Sequence, residues 1–204
     1  MQIEQENQMQ RDMAFDYMQD QQKTLSVQVY VFETFKARIP WLLLLMVSAT
    51  FTGKIIQSFE NQLASLTILT AFIPMLMDTG GNAGGQASVT IIRGLSLNDI
   101  EFSDIFRVMW KEIRVSILIG ATLAAANFVK LLVIDGVTTS VALVVCITLV
   151  FTVCVAKIIG CSLPILAKKL GFDPAVMASP FITTLVDAIS LFIYFNIAVS
   201  LLHI

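Results

Sequence analysis

Long apolar stretches, separated by short clusters of charged residues, constrain this chain more than any other feature. A helix of about 20 mainly apolar residues crosses the hydrocarbon core of a bilayer, and several stretches of the chain reach that length. Only 14% of the residues are charged, whereas soluble domains carry about a quarter. The sequence therefore predicts an all-α, multi-pass protein of the cell (inner or plasma) membrane, surrounded by the lipid bilayer.

The predicted spans divide the chain into a short leading segment and a membrane domain. Residues 1–37 are rich in Gln, Glu and Asp, and we expect a cytoplasmic juxtamembrane segment that is partly helical, with a disordered tail as the alternative. Residues 38–204 form the predicted transmembrane domain, which begins with Pro40 in the first turn of a helix. The five predicted spans cover about residues 40–59, 61–93, 108–133, 138–166 and 175–202.

The distribution of lysine and arginine predicts the orientation of these spans. If the N-terminus is cytoplasmic, ten basic residues lie in inside segments and two in outside segments, and Lys157 lies within a span. Because cytoplasmic loops carry an excess of Lys and Arg, we expect a cytoplasmic N-terminus and an outside C-terminus. The net charge of −2 gives no basic surface for nucleic acid.

A polar stripe in the fifth predicted span contains an acid at mid-membrane depth. Ser179, Thr183 and Asp187 are each four residues apart, so they share one helix face, and Ser190 extends the stripe. Since a charge in hydrocarbon is costly, an intramembrane acid is by default a functional candidate. Pro180 loosens nearby backbone carbonyl groups, which then become available to ions. The alternative is a single acid hydrogen-bonded to a neighbouring helix.

The second predicted span contains a glycine-rich segment from Asp78 to Gln86. Such a segment favours a break in the helix, which a membrane protein tolerates only where the backbone is buried in protein or lines a cavity. We therefore predict that Gly81, Gly85 and Asn82 line the same path as the acid of the fifth span. Gly81 and Gly85 also form a G-x-x-x-G pair, which is typical of helix packing.

Three further charged residues receive simpler interpretations. Glu60, at the outer end of the first span, is a candidate to attract cations at an entrance, with an interfacial cap as the alternative. Lys157 is expected to snorkel toward the membrane surface and to be structural. Glu112 lies beside Lys111 and Arg114, so an interfacial salt bridge is expected there.

The candidate ligands are all hard oxygen atoms, which favour Mg²⁺, Ca²⁺ and Mn²⁺. One intramembrane acid per chain is too little for a dry Ca²⁺ site, whereas Mg²⁺ keeps its water and is often held by one or two carboxylates. A two-fold homodimer doubles each group and places two Asp187 carboxylates about one axis. The residues therefore favour a pore at or near the dimer axis.

Three stretches resemble the membrane domain of the MgtE-type Mg²⁺ channel family. They are residues 38–60, which begin Arg-Ile-Pro-Trp-Leu-Leu, residues 74–86, which contain Gly-Gly-Asn-x-Gly, and residues 173–187, which end in an acid. The resemblance covers about residues 36–203. It implies a homodimer of five-helix subunits in which the second and fifth helices line the pore.

The resemblance also implies roles for individual residues. A fully hydrated Mg²⁺ is then recognised by Asp187, helped by backbone carbonyl groups at Ser179 and Thr183, and Asn82 lies along the pore. We expect Asn and Ala in some relatives at the positions of Ser179 and Thr183, and Asp78 adds an acid to the glycine-rich core. These differences bear on selectivity among Mg²⁺, Mn²⁺ and Co²⁺.

The family usually carries a cytosolic acidic domain and paired CBS domains that sense Mg²⁺ and close the pore. Only about 37 residues precede the first predicted span. We therefore expect either an excised membrane domain or a natural short form that lacks those cytosolic domains.

Three functions remain open from the sequence. A channel that conducts Mg²⁺ is the favoured hypothesis, and a secondary transporter that exchanges a divalent cation against H⁺ or Na⁺ is the alternative. A Mg²⁺-dependent membrane enzyme is weaker, because two-metal sites need several acids close together. Here Asp78 and Asp187 are far apart in sequence, so we expect no enzyme activity.

Overall fold

A computed structural model describes residues 31–172 and 174–203 of the chain. The predicted partly helical segment therefore lies almost entirely outside the described residues. Within the described part the secondary structure is helical, with six α-helices and two short 3-10 segments. In chain order these are α1 (Val31–Ser58), α2 (Glu60–Ser65), a 3-10 segment (Thr67–Phe72), α3 (Ile73–Ser96), a 3-10 segment (Phe102–Asp104), α4 (Ile105–Val133), α5 (Thr139–Lys169) and α6 (Pro174–Leu202).

Contacts divide the chain into two units, Met1–Leu44 and Leu45–Ile204. The described part of the first unit, residues 31–44, is wholly α-helical. The second unit contains the remaining helices and the hydrophobic core.

Four described helices are long and apolar enough to cross a membrane. Their lengths run from 21 to 32 residues, compared with the 20 or so that a hydrocarbon core requires. They agree with the first, third, fourth and fifth predicted spans. Their apolar segments are Arg38–Ser58, Phe102–Val133, Thr139–Lys169 and Phe181–Leu202.

The predicted second span, residues 61–93, is interrupted in the structure, upstream of the glycine-rich segment. The structure ends α2 at Ser65, turns at Leu66 with φ −140° and ψ 73°, and begins a new helix at Ile73. Pro74 explains the new start, because proline interrupts a helix from within but suits its first turn. The resulting α3 has 24 residues, a length of about 36 Å at 1.5 Å per residue, and its glycines and acid make it less apolar than the other four.

Helix α5 lies at the centre of the second unit and contacts α3, α4 and α6. Its apolar segment is 56% buried, whereas that of α1 is 0% buried. Large apolar side chains such as Phe51, Leu118 and Phe192 are exposed, as expected for surfaces that face lipid. The protein core therefore forms around α5, and α3 lies against it.

The start of α3 is fixed by contacts from α6. The Tyr194 hydroxyl donates a hydrogen bond to the carbonyl oxygen of Leu69 at 2.9 Å, and Leu69 belongs to the 3-10 segment before α3. The rings of Phe59 and Phe195 stack with centroids 4.9 Å apart. These buried contacts hold the turn that precedes the glycine-rich helix.

Candidate functional site

A cavity of about 860 Å³ lies between α3 and α6. Its wall combines two carboxyl groups, two side-chain amides and two hydroxyl groups with glycine backbone. Such a set offers only oxygen atoms as ligands for a hard cation. The lining residues are Met77, Asp78, Gly81, Asn82, Gly85, Gln86, Val89 and Thr90 of α3, and Thr183 and Asp187 of α6.

The glycine-rich segment is a continuous helix, so the predicted break is wrong. All residues of 73–96 are α-helical, and the real interruption lies upstream, before Ile73. Gly81 and Gly85 nevertheless line the cavity, and their lining of a pore stays a prediction. A Cβ atom added to Gly85 would have nothing within 4 Å, and one added to Gly81 would lie 3.4 Å from Thr183 Cγ2. The glycines leave the cavity wide without opening the helix.

The packing pair of α3 is Gly80 and Gly84, one residue before the predicted pair. A Cβ atom at Gly84 would lie 2.7 Å from Ile182 Cγ2 and 3.0 Å from the carbonyl oxygen of Ala156. Gly160 of α5 approaches the Gly84 backbone so closely that it has no room for a side chain. Small residues at this spacing let helix backbones approach closely in membranes. This interface holds α3 between α5 and α6.

The two acids lie at a similar level of the cavity. Gly84 meets Ile182, and Gly80 meets Val186, so α3 and α6 run antiparallel. With this register, Asp78 comes opposite the turn of α6 that contains Asp187, and both residues line the cavity. The Asn82 side-chain amide donates a hydrogen bond to Asp78 Oδ2 at 3.1 Å, which orients that carboxyl group.

The structure gathers most of the predicted site residues but not all of them. Ser190 is only 1% exposed, lies near Gly80 on the packed side, and does not line the cavity. Ser190 is three positions after Asp187, whereas Ser179, Thr183 and Asp187 are spaced by four, and this offset turns Ser190 toward α3 and α5. Ser179 lies in α6 among residues 175–180, whose side chains the structure does not describe. Glu60 is the exposed first residue of α2 and lies outside the cavity wall.

Two polar residues of the cavity were missed by the sequence analysis, although the sequence contains their signal. Gln86 and Thr90 continue the spacing of four that begins at Asp78 and Asn82. Residues four apart share one helix face, so the stripe predicts one polar side of α3. The expectation of a broken helix obscured this periodicity.

A second polar feature lies between α4 and α5. Lys157 Nζ is 3.5 Å from Glu112 Oε2, and the two side chains are only 8% and 9% exposed. Lys157 therefore does not snorkel, contrary to the prediction, and Glu112 forms its salt bridge with Lys157 of α5. Each charge finds its partner on the neighbouring helix.

Fold and site together define a multi-pass helical membrane protein with an oxygen-lined cavity between two antiparallel helices. Residues 73–197 match the MgtE family, described as a divalent cation transporter, and the chain belongs to that family. The matched segment contains every residue of the cavity wall.

Three relatives named magnesium transporter MgtE are similar to most of this chain. The protein of Thermus thermophilus is 39% identical over 167 residues, which cover 82% of this chain and 37% of the relative. The protein of Bacillus subtilis is 37% identical, over 81% of this chain and 37% of the relative. For Enterococcus faecalis it is 35%, with 79% and 35% covered. The chain thus spans little more than a third of the length of these relatives, which are named as transporters and not as enzymes.

Proposed function

We propose that this chain forms the ion pathway of a divalent cation channel that conducts Mg²⁺ across the cell membrane. The observation that carries the proposal is the cavity between α3 and α6, with Asp78 and Asp187 at a similar level. The family's description as a divalent cation transporter and the magnesium transporters among the relatives support it.

The ion passes in hydrated form. Mg²⁺ dehydrates reluctantly and keeps an octahedral shell, and six waters fill about 180 Å³ at about 30 Å³ each. A cavity of about 860 Å³ accommodates such an ion with further water. Asp187 then acts through the hydration shell, and backbone carbonyl groups at Thr183 and Ser179 supply additional acceptors. Mn²⁺ and Co²⁺, which also accept oxygen ligands, are further candidate ions.

The complete pathway is a homodimer of five-span subunits with a cytoplasmic N-terminus. Besides the four long apolar helices, α3 is the remaining span and the second in chain order, and its length of about 36 Å exceeds the roughly 30 Å hydrocarbon core. A polar stripe on one side of α3 cannot face lipid without cost. A second copy covers it and doubles the acids around a shared axis.

The test is Mg²⁺ uptake into liposomes that contain the purified protein and an internal Mg²⁺-sensitive dye. We expect Asp187→Asn, which removes the charge but keeps the shape, to lower uptake by about tenfold or more, as for loss of about 1.4 kcal/mol or more of interaction. The matched control is Asp135→Asn, since Asp135 lies in a loop and pairs with Lys130. Equal uptake by Asp187→Asn and wild type, with both folded and dimeric, contradicts the proposal.

The same liposomes separate a channel from an exchanger. Uptake through a channel follows the Mg²⁺ gradient and the membrane potential alone. If uptake requires an opposing H⁺ or Na⁺ gradient, the exchange alternative replaces the channel.

A further inference from the structure

One buried ion pair has no part in the cavity. Among the residues whose burial the structure describes, Glu112 of α4 and Lys157 of α5 are the charged side chains that are buried. Their closest charged atoms lie 3.5 Å apart. Neither residue lines the cavity between α3 and α6, so the proposed ion pathway does not explain why the charges are there.

The pair lies in the outer part of the spans, toward the start of α4 and the end of α5. Lys157 comes twelve residues before the end of the 31-residue α5, which places it about 18 Å from that end at 1.5 Å per residue. A helix of about 46 Å, centred on a hydrocarbon core of about 30 Å, extends about 8 Å beyond it on each side. Glu112 comes seven residues after the start of α4 and is flanked by the exposed residues Lys111 and Arg114, which places it about 4 Å inside the same core. The pair therefore lies in the outer part of the hydrocarbon, between about 4 and 10 Å from its edge, and is enclosed by α4 and α5.

Stability alone does not account for two charges in this position. Replacing both residues of a buried ion pair by apolar residues of similar volume is often neutral or stabilising. Replacing only one of them leaves the other charge buried and unpaired. Charged residues inside membrane spans are costly, and they usually serve a function. A buried ion pair does, however, fix two helices in one rotation and one depth, because its attraction is lost when either helix turns.

The helix that carries Lys157 also supports the cavity wall. The carbonyl oxygen of Ala156, the residue before Lys157, lies close to Gly84. Gly160, one turn after Ala156, contacts the Gly84 backbone. Gly84 in turn precedes Gly85 of the cavity wall. A rotation of α5 that moves Lys157 away from Glu112 therefore moves the surface against which α3 is packed.

We propose that Glu112 and Lys157 are positioning residues for the cation cavity. The ion pair holds α5 against α4 at the depth where Ala156 and Gly160 support α3. It thereby sets the separation of α3 and α6, and with it the distance between the acids that face the ion. The effect on ion transport rests on the function proposed above, whereas the effect on cavity geometry does not.

The test compares four variants of the full chain in liposomes. Glu112→Gln and Lys157→Met each leave one charge unpaired, the double variant Glu112→Gln/Lys157→Met removes both, and Glu112→Lys/Lys157→Glu exchanges them. The control is Lys130→Met, which removes a half-exposed ion pair at the end of α4, where the Lys130 Nζ to Asp135 Oδ2 distance is 2.7 Å. Folding is checked by size-exclusion chromatography and by the melting temperature.

We expect the neutral double variant to fold and to shift the half-saturating Mg²⁺ concentration by about threefold to thirtyfold, the range for residues coupled to a site without touching the ligand. We expect the half-saturating Mg²⁺ concentration of the charge-exchanged variant to return toward the wild-type value. We expect that of the Lys130→Met control to equal the wild-type value. If the neutral double variant folds and keeps the wild-type half-saturating concentration, the pair is only a structural contact and the proposal is overturned. The proposal is also overturned if the charge-exchanged variant folds but its half-saturating Mg²⁺ concentration does not return toward the wild-type value.

A second readout does not depend on transport. Val89 lines the cavity and is exposed, so Val89→Cys in a chain with its native cysteines replaced by alanine reports solvent access through its reaction rate with a water-soluble thiol reagent. We expect the neutral double variant to change this rate by about threefold or more. If the wild type transports no Mg²⁺ but the neutral double variant still changes the thiol reaction rate, the channel proposal fails while the positioning role stands. An unchanged rate overturns the positioning role. The native cysteines are Cys146, Cys154 and Cys161.

Discussion

The two sides of helix α3 carry glycines at the same spacing but use them differently. On one side, Gly80 and Gly84 lie against α5 and α6, and an added Cβ atom would come within 2.7 Å of a neighbouring side chain at both positions. On the other side, Gly81 and Gly85 face the cavity, and Gly85 has nothing within 4 Å of an added Cβ atom. The first pair brings backbones together, and the second keeps space open.

This difference shows how one helix both packs tightly and borders water. The packed side excludes lipid and solvent by close backbone contact, so α3 needs no large apolar side chains there. The open side is then free for a polar stripe that begins at Asp78 and ends at Thr90. Substitutions on the packed side should therefore change stability, and substitutions on the open side should change transport.

The largest effect is expected on the packed side. Gly160→Ala places a methyl group against the carbonyl group of Gly84, and because the obstacle is backbone it cannot turn aside. We expect a loss of about 3 kcal/mol in the free energy of unfolding, at the upper end of the usual cost of overpacking, measured as a lower melting temperature in detergent.

Gly85→Ala is the matched control for that loss, since its methyl group enters open space. We expect its free energy of unfolding to change by no more than about 0.5 kcal/mol, or to rise slightly because alanine has a better helix propensity than glycine. The melting temperature measures this change. A similar loss in both variants would show that the two sides of α3 do not differ in packing.

A smaller effect is expected on the open side. Asp78→Asn removes a charge at the level of Asp187 but keeps the shape that Asn82 contacts. We expect the half-saturating Mg²⁺ concentration in liposome uptake to rise by a few-fold to about tenfold, or about 1.4 kcal/mol at most. The melting temperature should stay near the wild-type value. A large drop in melting temperature without a change in uptake would assign Asp78 to the packing of α3.

The smallest effect is expected from the buried contact that precedes α3. Tyr194→Phe removes the hydroxyl group that donates to the Leu69 carbonyl oxygen at 2.9 Å. Loss of one such hydrogen bond costs about 1 kcal/mol, which a melting curve detects, and Mg²⁺ uptake by the folded variant should be unchanged. A change in uptake with no change in stability would mean that the turn before α3 acts on the cavity.

Much of the fold could be predicted from the sequence because apolar length decides which segments can cross a membrane. This criterion identified the four long apolar helices, whereas α3 is less apolar than they are. The glycines between Gly80 and Gly85 indicated a broken helix, whereas close packing by α5 and α6 keeps it continuous. The interruption instead follows from Pro74, whose effect is local.

The candidate site was predicted in outline for a similar reason. The spacing of four between Thr183 and Asp187 places them on one face without knowledge of the fold. The pairing of Glu112 with Lys157 was not predictable, because the two residues are 45 positions apart in sequence and meet only through the packing of α4 on α5. Which glycine of each adjacent pair faces the cavity also depends on that packing.

The most direct test of the cation site is an experimental structure of the protein with Mn²⁺, located by its anomalous scattering as a substitute for Mg²⁺. We predict a peak in the cavity between α3 and α6, farther from the Asp187 oxygens than the roughly 2.1 Å of a direct Mg²⁺–oxygen bond, and absent in Asp187→Ala. A cavity without a peak, or a peak that persists in Asp187→Ala, would contradict the account.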